Sequence, residues 1–196
     1  MRLSRSNPTV GLSFTETRKV FQALAFAAHK HRDQRRKNAD ASPYINHPIA
    51  LADILVNEGG ITDYVVLCAA ILHDTIEDTE TTYDELVSVF GRDIADVVAE
   101  VTDDKTLDAA VRKQLQIEHA PHASQRAKLV KLADKTCNLR DLGTTPPPEW
   151  SDERRREYFD WATKVVAGVR FTNAALEAAF DRAIANQAYP RPIHDV

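Results

Sequence analysis

Six consecutive residues, His73-Asp74-Thr75-Ile76-Glu77-Asp78, gather side chains able to bind a metal or move a proton, directly behind the apolar run Val65-Val66-Leu67-Cys68-Ala69-Ala70-Ile71-Leu72. On a helix of about 3.6 residues per turn, His73 shares a face with Glu77, and Asp74 with Asp78. One pair could hold an ion while the other reaches a substrate one turn further on. An N-cap followed by an acidic first turn has the same composition, so the rest of the chain has to decide.

Three other places carry matching chemistry. His47, in Pro43-Tyr44-Ile45-Asn46-His47-Pro48, is a second imidazole at the start of a helix. Asp134 is an acid inside the apolar stretch 129–139, where a carboxylate is expensive unless it meets a cation or several donors. Asn138 lies four residues on, hence on its face, while Lys131 and Lys135 are placed to neutralise Asp134 from the surface. Between Lys30 and Lys37, the bases Lys30, Arg32, Arg35, Arg36 and Lys37 face one acid, Asp33. That patch is either a solvated helix end or a phosphate seat. For the seat, Arg36 would grip bidentately and Lys37 would act as a point charge.

Taken together, His47, His73, Asp74 and Asp134 offer two imidazoles and two carboxylates. This mixture suits a borderline-to-hard divalent ion such as Mn²⁺, Fe²⁺ or Co²⁺ better than a cysteine-bound structural zinc. Such an ion acidifies a water and screens phosphate charge, both requirements for phosphate-ester hydrolysis. Glu77 and Asp78 would orient or deprotonate that water.

The elements that must position these groups read as helix after helix. The expected helices run over about 14–31, 48–58, a segment capped by Thr62 or Asp63 that carries the His-Asp stretch, 82–91, 92–101, 107–119, a segment capped by Ser124, 151–169 and 172–187. In the Ser124-capped segment, positions 129, 132, 133, 136 and 139 form an inward stripe. Thr81 and Thr82 with Glu85 give a capping-box pattern. No strand-period alternation and no internal repeat interrupts the series. The fold class is therefore all-α: one helical-bundle domain of about ten helices over 13–188, with a loose arm at 1–12 and a tail at 189–196. Pro146-Pro147-Pro148 is a stiff linker too short to separate domains.

Composition bounds the partners. At 196 residues, 43% hydrophobic and 28% charged, the chain is an ordinary globular domain with a sizeable core. A net charge of −4 gives no case for nucleic acid, and no apolar run approaches a membrane span. No signal peptide is read at the amino terminus. Cys68 and Cys137 lie in apolar stretches and read as reduced, buried thiols of a cytoplasmic protein. Nothing in the sequence decides between a monomer and a homo-oligomer.

The ordered set of stretches resembles the HD-domain alarmone hydrolases of the RelA/SpoT family, and most closely their small stand-alone members. The matching stretches are Arg36-Lys37 with 43–48, 72–79, 100–106, 128–135, 138–142 and Glu157-Tyr158-Phe159. They span roughly residues 18–180. The resemblance implies one Mn²⁺ held by His47, His73, Asp74 and Asp134, with Glu77 and Asp78 as catalytic carboxylates. It implies hydrolysis of the 3′-diphosphate of (p)ppGpp to GDP or GTP and pyrophosphate. By the same carry-over, Arg36, Lys37, Lys105, Asn138, Arg154 and Tyr158 contact substrate. The small group is also similar to phosphatases acting on NADPH, a second substrate to be tested. The loop between Lys37 and Pro43 is longer than in the large bifunctional enzymes, and Asp104-Lys105 departs from their sequence. Both changes favour the small group. A catalytically dead nucleotide sensor on the same fold would have lost a ligand or an acid, whereas all six are present here.

Overall fold

Every residue from Val65 to Leu72 is buried, so the helix they form is apolar around its whole circumference. This helix, α3 (Tyr64–Leu72), is the axis of the computed structural model, which describes residues 11–186. Asp63 caps it, its carboxylate accepting from Val65 N at 2.9 Å. Around α3 pack α1 (Phe14–Lys30), α2 (Asn46–Asp53), α6 (Arg92–Val101) and α8 (Gln125–Thr144). Each fully buried Leu or Val there contributes on the order of 1.5–3 kcal/mol.

The remaining segments are α4 (Thr75–Asp78), α5 (Tyr83–Phe90), α7 (Ala109–His119), α9 (Asp152–Ala167) and α10 (Ala174–Ala185). No strand occurs among the described residues beyond an isolated bridge between Arg35 and Pro43, which closes the loop leading to His47. The all-α architecture holds. Residues 1–10 and 187–196 lie outside the described residues, and with them nearly all of the expected arm and tail.

Boundaries follow local chemistry. The Ser124 hydroxyl caps α8 from Ala127 N at 3.2 Å, and Gly91, at φ 92°, ends α5 and admits α6. Thr82 accepts from Glu85 N, but the expected capping box is only half made. The Glu85 carboxylate turns instead to Lys30 Nζ at 2.8 Å, tying α5 to α1. The helix expected to run to Glu58 is α2 followed by a π-helical turn, Ile54–Glu58. Gly59 follows because a Cβ there would stand 2.9 Å from the Leu176 side chain of α10.

In α8 the expected narrow stripe is corrected. Val130, Leu132, Ala133, Thr136, Cys137 and Leu139 are all buried, whereas Leu129 is only half-buried. Lys131 and Lys135 are also buried, at 8% and 6% exposure, instead of lying at the surface. The reason is that α8 packs against α2, α3, α6, α9 and α10 at once. A helix wrapped on most sides leaves little room for a solvated face.

Candidate active site

The expectation that His73–Asp78 continues one helix is overturned, and the break makes the site. Helix α3 stops at Leu72, His73 is its C-cap, and Asp74 (φ −99°, ψ 2°) opens the separate turn α4. Thr75 Oγ1 donates to the Leu72 carbonyl at 2.7 Å, and Asp78 N to the Asp74 carbonyl at 2.8 Å. Adjacent side chains on an unbroken helix point about 100° apart. Here His73 Nε2 and Asp74 Oδ2 approach to 2.8 Å.

His47 enters from the first turn of α2 and Asp134 from the middle of α8. His47 Nε2 lies 3.2 Å from Asp134 Oδ1, and His73 Nε2 lies 3.9 Å from the same oxygen. His47, His73 and Asp134 offer ligand atoms all within 4.8 Å of one another. Ligands sharing an ion through bonds of about 2.1 Å stand about 3 Å apart when adjacent and about 4 Å apart when opposite. These separations fit one divalent cation among His47, His73 and Asp134, while Asp74, the fourth expected ligand, stands beside His73 but outside that group. His73 Nδ1 faces the Ala70 carbonyl at 2.8 Å, which fixes its donor nitrogen and leaves Nε2 for the ion. His47 Nδ1 is buried without a hydrogen-bond partner.

Electrostatics follow the crowding. Burial pulls the His73 imidazole down, but the carboxylates of Asp74 and Asp134 more than reverse this and raise it to about 9. Burial holds His47 below its ordinary value, assisted by the neighbouring His73. Burial would raise Asp74 and Asp134. The imidazoles, together with Lys135 at Asp134, keep both well below the usual carboxylate range. Around an anionic pair of this kind a cation is favoured.

The two predicted acids separate. Glu77 lines the cavity of about 210 Å³ that contains His47, His73, Asp74 and Asp134. Its carboxylate accepts from Asp103 N at 3.2 Å and lies 3.7 Å from Arg112 Nη1. Burial and then the negative charges of Asp74, Asp103 and Asp78 push it up, although the Asp103 amide opposes them. Asp78 instead lines an outer cavity of about 290 Å³. It is held by Gln34 Nε2 at 2.9 Å and by the Lys105 ammonium.

The expected substrate residues are distributed unequally. Arg36, Lys37, Asn138 and Tyr158 all line the outer cavity, and Lys105 reaches it through Asp78. Arg154 does not line it. Its exposed guanidinium stacks 4.5 Å from the ring of Trp150, which does. Arg36 Nη2 bonds Asn138 Oδ1 at 3.0 Å and Asp141 Oδ2 at 2.7 Å.

Two residues at the site, Tyr44 and Gln34, were not singled out from sequence, and Lys135 makes the expected contact with Asp134 from a buried position. Tyr44 donates its hydroxyl to Asp74 Oδ2, and Gln34 orients Asp78. Lys135 Nζ sits 2.9 Å from Asp134 Oδ2 and 4.5 Å from the centre of the Trp161 ring. Tyr44 and Gln34 flank the Arg36-Lys37 pair, so the loop itself was the available signal.

A family profile for the HD domain matches residues 23–162. The chain belongs to the HD-domain family. Within the HD-domain proteins, it is 56% identical over 168 residues to a guanosine-3′,5′-bis(diphosphate) 3′-pyrophosphohydrolase, MESH1, of Xenopus tropicalis, covering 86% of this chain and 94% of that one. MESH1 of Homo sapiens is 57% identical over 165 residues, covering 84% and 92%. The bifunctional (p)ppGpp synthase/hydrolase SpoT of Escherichia coli is 37% identical over 147 residues, 72% of this chain but 20% of that protein. A solved HD-domain structure, described as a metazoan orthologue of SpoT that hydrolyses ppGpp and plays a role in starvation responses, superposes with a TM-score of 0.84. It is 46% identical and covers 93% of this chain and 98% of that one. No helix among the described residues is long and apolar enough to cross a membrane.

Proposed function

We propose that this chain hydrolyses the 3′-diphosphate of (p)ppGpp to GDP or GTP and pyrophosphate, using one divalent cation, Mn²⁺, held by His47, His73, Asp74 and Asp134. One observation carries the reading. A chain 57% identical to a guanosine-3′,5′-bis(diphosphate) 3′-pyrophosphohydrolase, over 92% of that relative, brings His47, His73 and Asp134 within 4.8 Å beside Glu77. The choice of Mn²⁺ rests on the mixed imidazole and carboxylate donors.

When bound, the ion supplies Lewis-acid polarisation of the phosphate and acidifies a water. The protein's own groups do the rest. Arg36 and Lys37 hold the nucleotide's phosphates, Asn138 and Tyr158 border the nucleoside, and Lys105 meets a phosphate oxygen. A water oxygen bonds to the 3′ phosphorus as the bond from that phosphorus to ribose O3′ breaks. Glu77, whose half-buried carboxyl is raised above its ordinary value by burial, and Asp78 orient the water and take its proton. The carboxyl that took the proton passes it to ribose O3′ as that oxygen leaves, and pyrophosphate carries away the water oxygen. Two buried, reduced thiols, Cys68 and Cys137, are consistent with a cytoplasmic setting.

Pyrophosphate release from ppGpp in Mn²⁺, with and without a chelator, tests the reading. The expected result is turnover that the chelator abolishes, with kcat/KM for ppGpp above that for NADPH on the same sample. A higher kcat/KM for NADPH would make the 2′-phosphatase reaction the main activity. Tight ppGpp binding without pyrophosphate release would make the protein a sensor.

A further inference from the structure

One face of α8 runs the whole length of the site. Lys131, Asp134, Asn138 and Asp141 follow at spacings of three, four and three residues, the period that keeps side chains on one helix face. Asn138 borders the outer cavity and Asp134 the metal cluster. Lys131 lies one turn beyond, where the central cavity of about 210 Å³ meets a rear cavity of about 180 Å³. The central cavity shares Arg36, Tyr44 and Asn138 with the outer one, and Asp103, Gln116 and Lys131 with the rear one. The three spaces thus lie in sequence along α8.

Lys131 is 8% exposed, yet its ammonium makes no hydrogen bond or ion pair among the described residues. Burial and then the neighbouring Lys135 charge lower it from its ordinary value, while the charges of Asp103, Asp134 and Glu100 oppose them. On the same rear wall, Arg112 Nε is buried and has no hydrogen-bond partner among the described residues, although Arg112 Nη1 lies 3.7 Å from Glu77. The acids of the rear cavity already have donors. Glu100 takes the Ser124 amide and hydroxyl, Asp103 takes Gln116 Nε2 at 2.6 Å, and Asp104 takes Thr106 N at 2.9 Å. Among the described residues, none of these acids accepts a hydrogen bond from Lys131.

The substrate named above, on which this inference rests, has an anion to offer. With its nucleoside in the outer cavity and its 3′ phosphorus at the Asp134 level, the next phosphate continues away from Asn138. Three residues of α8 rise about 4.5 Å, comparable to the reach from the 3′ phosphorus to the outer oxygens of the next phosphate. We infer that Lys131, with Arg112 behind it, seats the terminal phosphate of the 3′-diphosphate and so selects a diphosphate over a monophosphate ester. The same seat holds pyrophosphate before it leaves.

The test is calorimetric binding of inorganic pyrophosphate and of orthophosphate to the Mn²⁺-loaded chain and to Lys131→Met. Methionine keeps the packing of the lysine stem and removes the charge. The expected result is that the parent prefers pyrophosphate at least tenfold, that Lys131→Met loses most of that preference, and that Lys131→Arg retains it. A parent binding both anions equally overturns the inference without any variant. A folded Lys131→Met with the parent's preference overturns it too. Should that variant not fold, Lys131→Gln is read by the same ratio. A parent that selects pyrophosphate but does not hydrolyse ppGpp would refute the proposed function and support the subsite. Hydrolysis of ppGpp by a parent that lacks the preference would do the reverse.

Discussion

Asn138 Nδ2 donates to Asp134 Oδ1 at 2.7 Å, the same oxygen that faces His47 Nε2. The other end of the amide accepts from Arg36 Nη2, so one side chain joins the Arg36-Lys37 loop to the cluster of His47, His73 and Asp134. Asn138→Leu should therefore weaken Mn²⁺ binding about 10–100-fold as well as raising KM for ppGpp. Calorimetric Mn²⁺ titration reads the first effect. Parent-like metal affinity would reduce Asn138 to a nucleoside contact.

Tyr44 makes the equivalent contact on the opposite side, its phenol donating to Asp74 Oδ2. Burial and then the Asp74 charge push the phenol far above its ordinary value, so it stays a donor at every working pH. A hydrogen bond to a charged group is worth about 1.5–3 kcal/mol. Tyr44→Phe should accordingly loosen Mn²⁺ at least tenfold, read by calorimetric titration. Equal Mn²⁺ affinity in the two proteins would contradict this.

Glu58, at the end of the π turn, accepts from Arg140 at 2.5 and 3.0 Å and from Arg182 at 3.1 Å, binding α2 to α8 and α10. The Arg140 hydrogen bond leads in holding its carboxyl below the ordinary 4.5. A depressed carboxylate stabilises the fold above its unfolded value and loses that contribution as pH falls through its folded value. The cluster is largely solvated, so Glu58→Gln should cost about 1 kcal/mol or less at neutral pH. The difference between variant and parent should vanish in acid. Urea unfolding at neutral and acidic pH checks both the size and the sign.

Gly168 ends α9 where the chain passes Ala120 and Pro121. An added Cβ would stand 2.9 Å from both. Overpacking of this kind costs about 1–3 kcal/mol, which for a domain of this size lowers Tm by roughly 2–4 °C per kcal/mol. Gly168→Ala should show that drop in a thermal melt. An unchanged Tm would mean the junction yields freely.

The helices were legible because their ends carry short-range chemistry. Asp63, Thr82, Ser124 and Gly91 act within three residues of themselves, and sequence reasoning sees that range. The donors now clustered were legible as residue types, since a buried-looking Asp134 among apolar neighbours already demands compensation. The break at His73-Asp74 was not legible. The local bond from Thr75 to the Leu72 carbonyl accompanies it, but what draws His73 towards Asp134 of α8 is tertiary. For the same reason Lys131 and Lys135 looked like surface residues: lysines are seldom buried, and only the helices crowding α8 reveal them. Arg154 matched a substrate position by sequence, but the fold spends its guanidinium on the Trp150 ring.

The central claim is that the cluster of His47, His73, Asp74 and Asp134 holds an ion while Glu77 and Asp78 handle the water. Asp78→Ala tests it most directly, because Asp78 faces the outer cavity and, among the described residues, its side chain bonds only Gln34 and Lys105. Metal content and ppGpp turnover would be measured on one Mn²⁺-saturated sample. About one Mn²⁺ per chain with turnover down about 10²–10⁴-fold is the predicted result. Hydrolysis at the parent rate would contradict it.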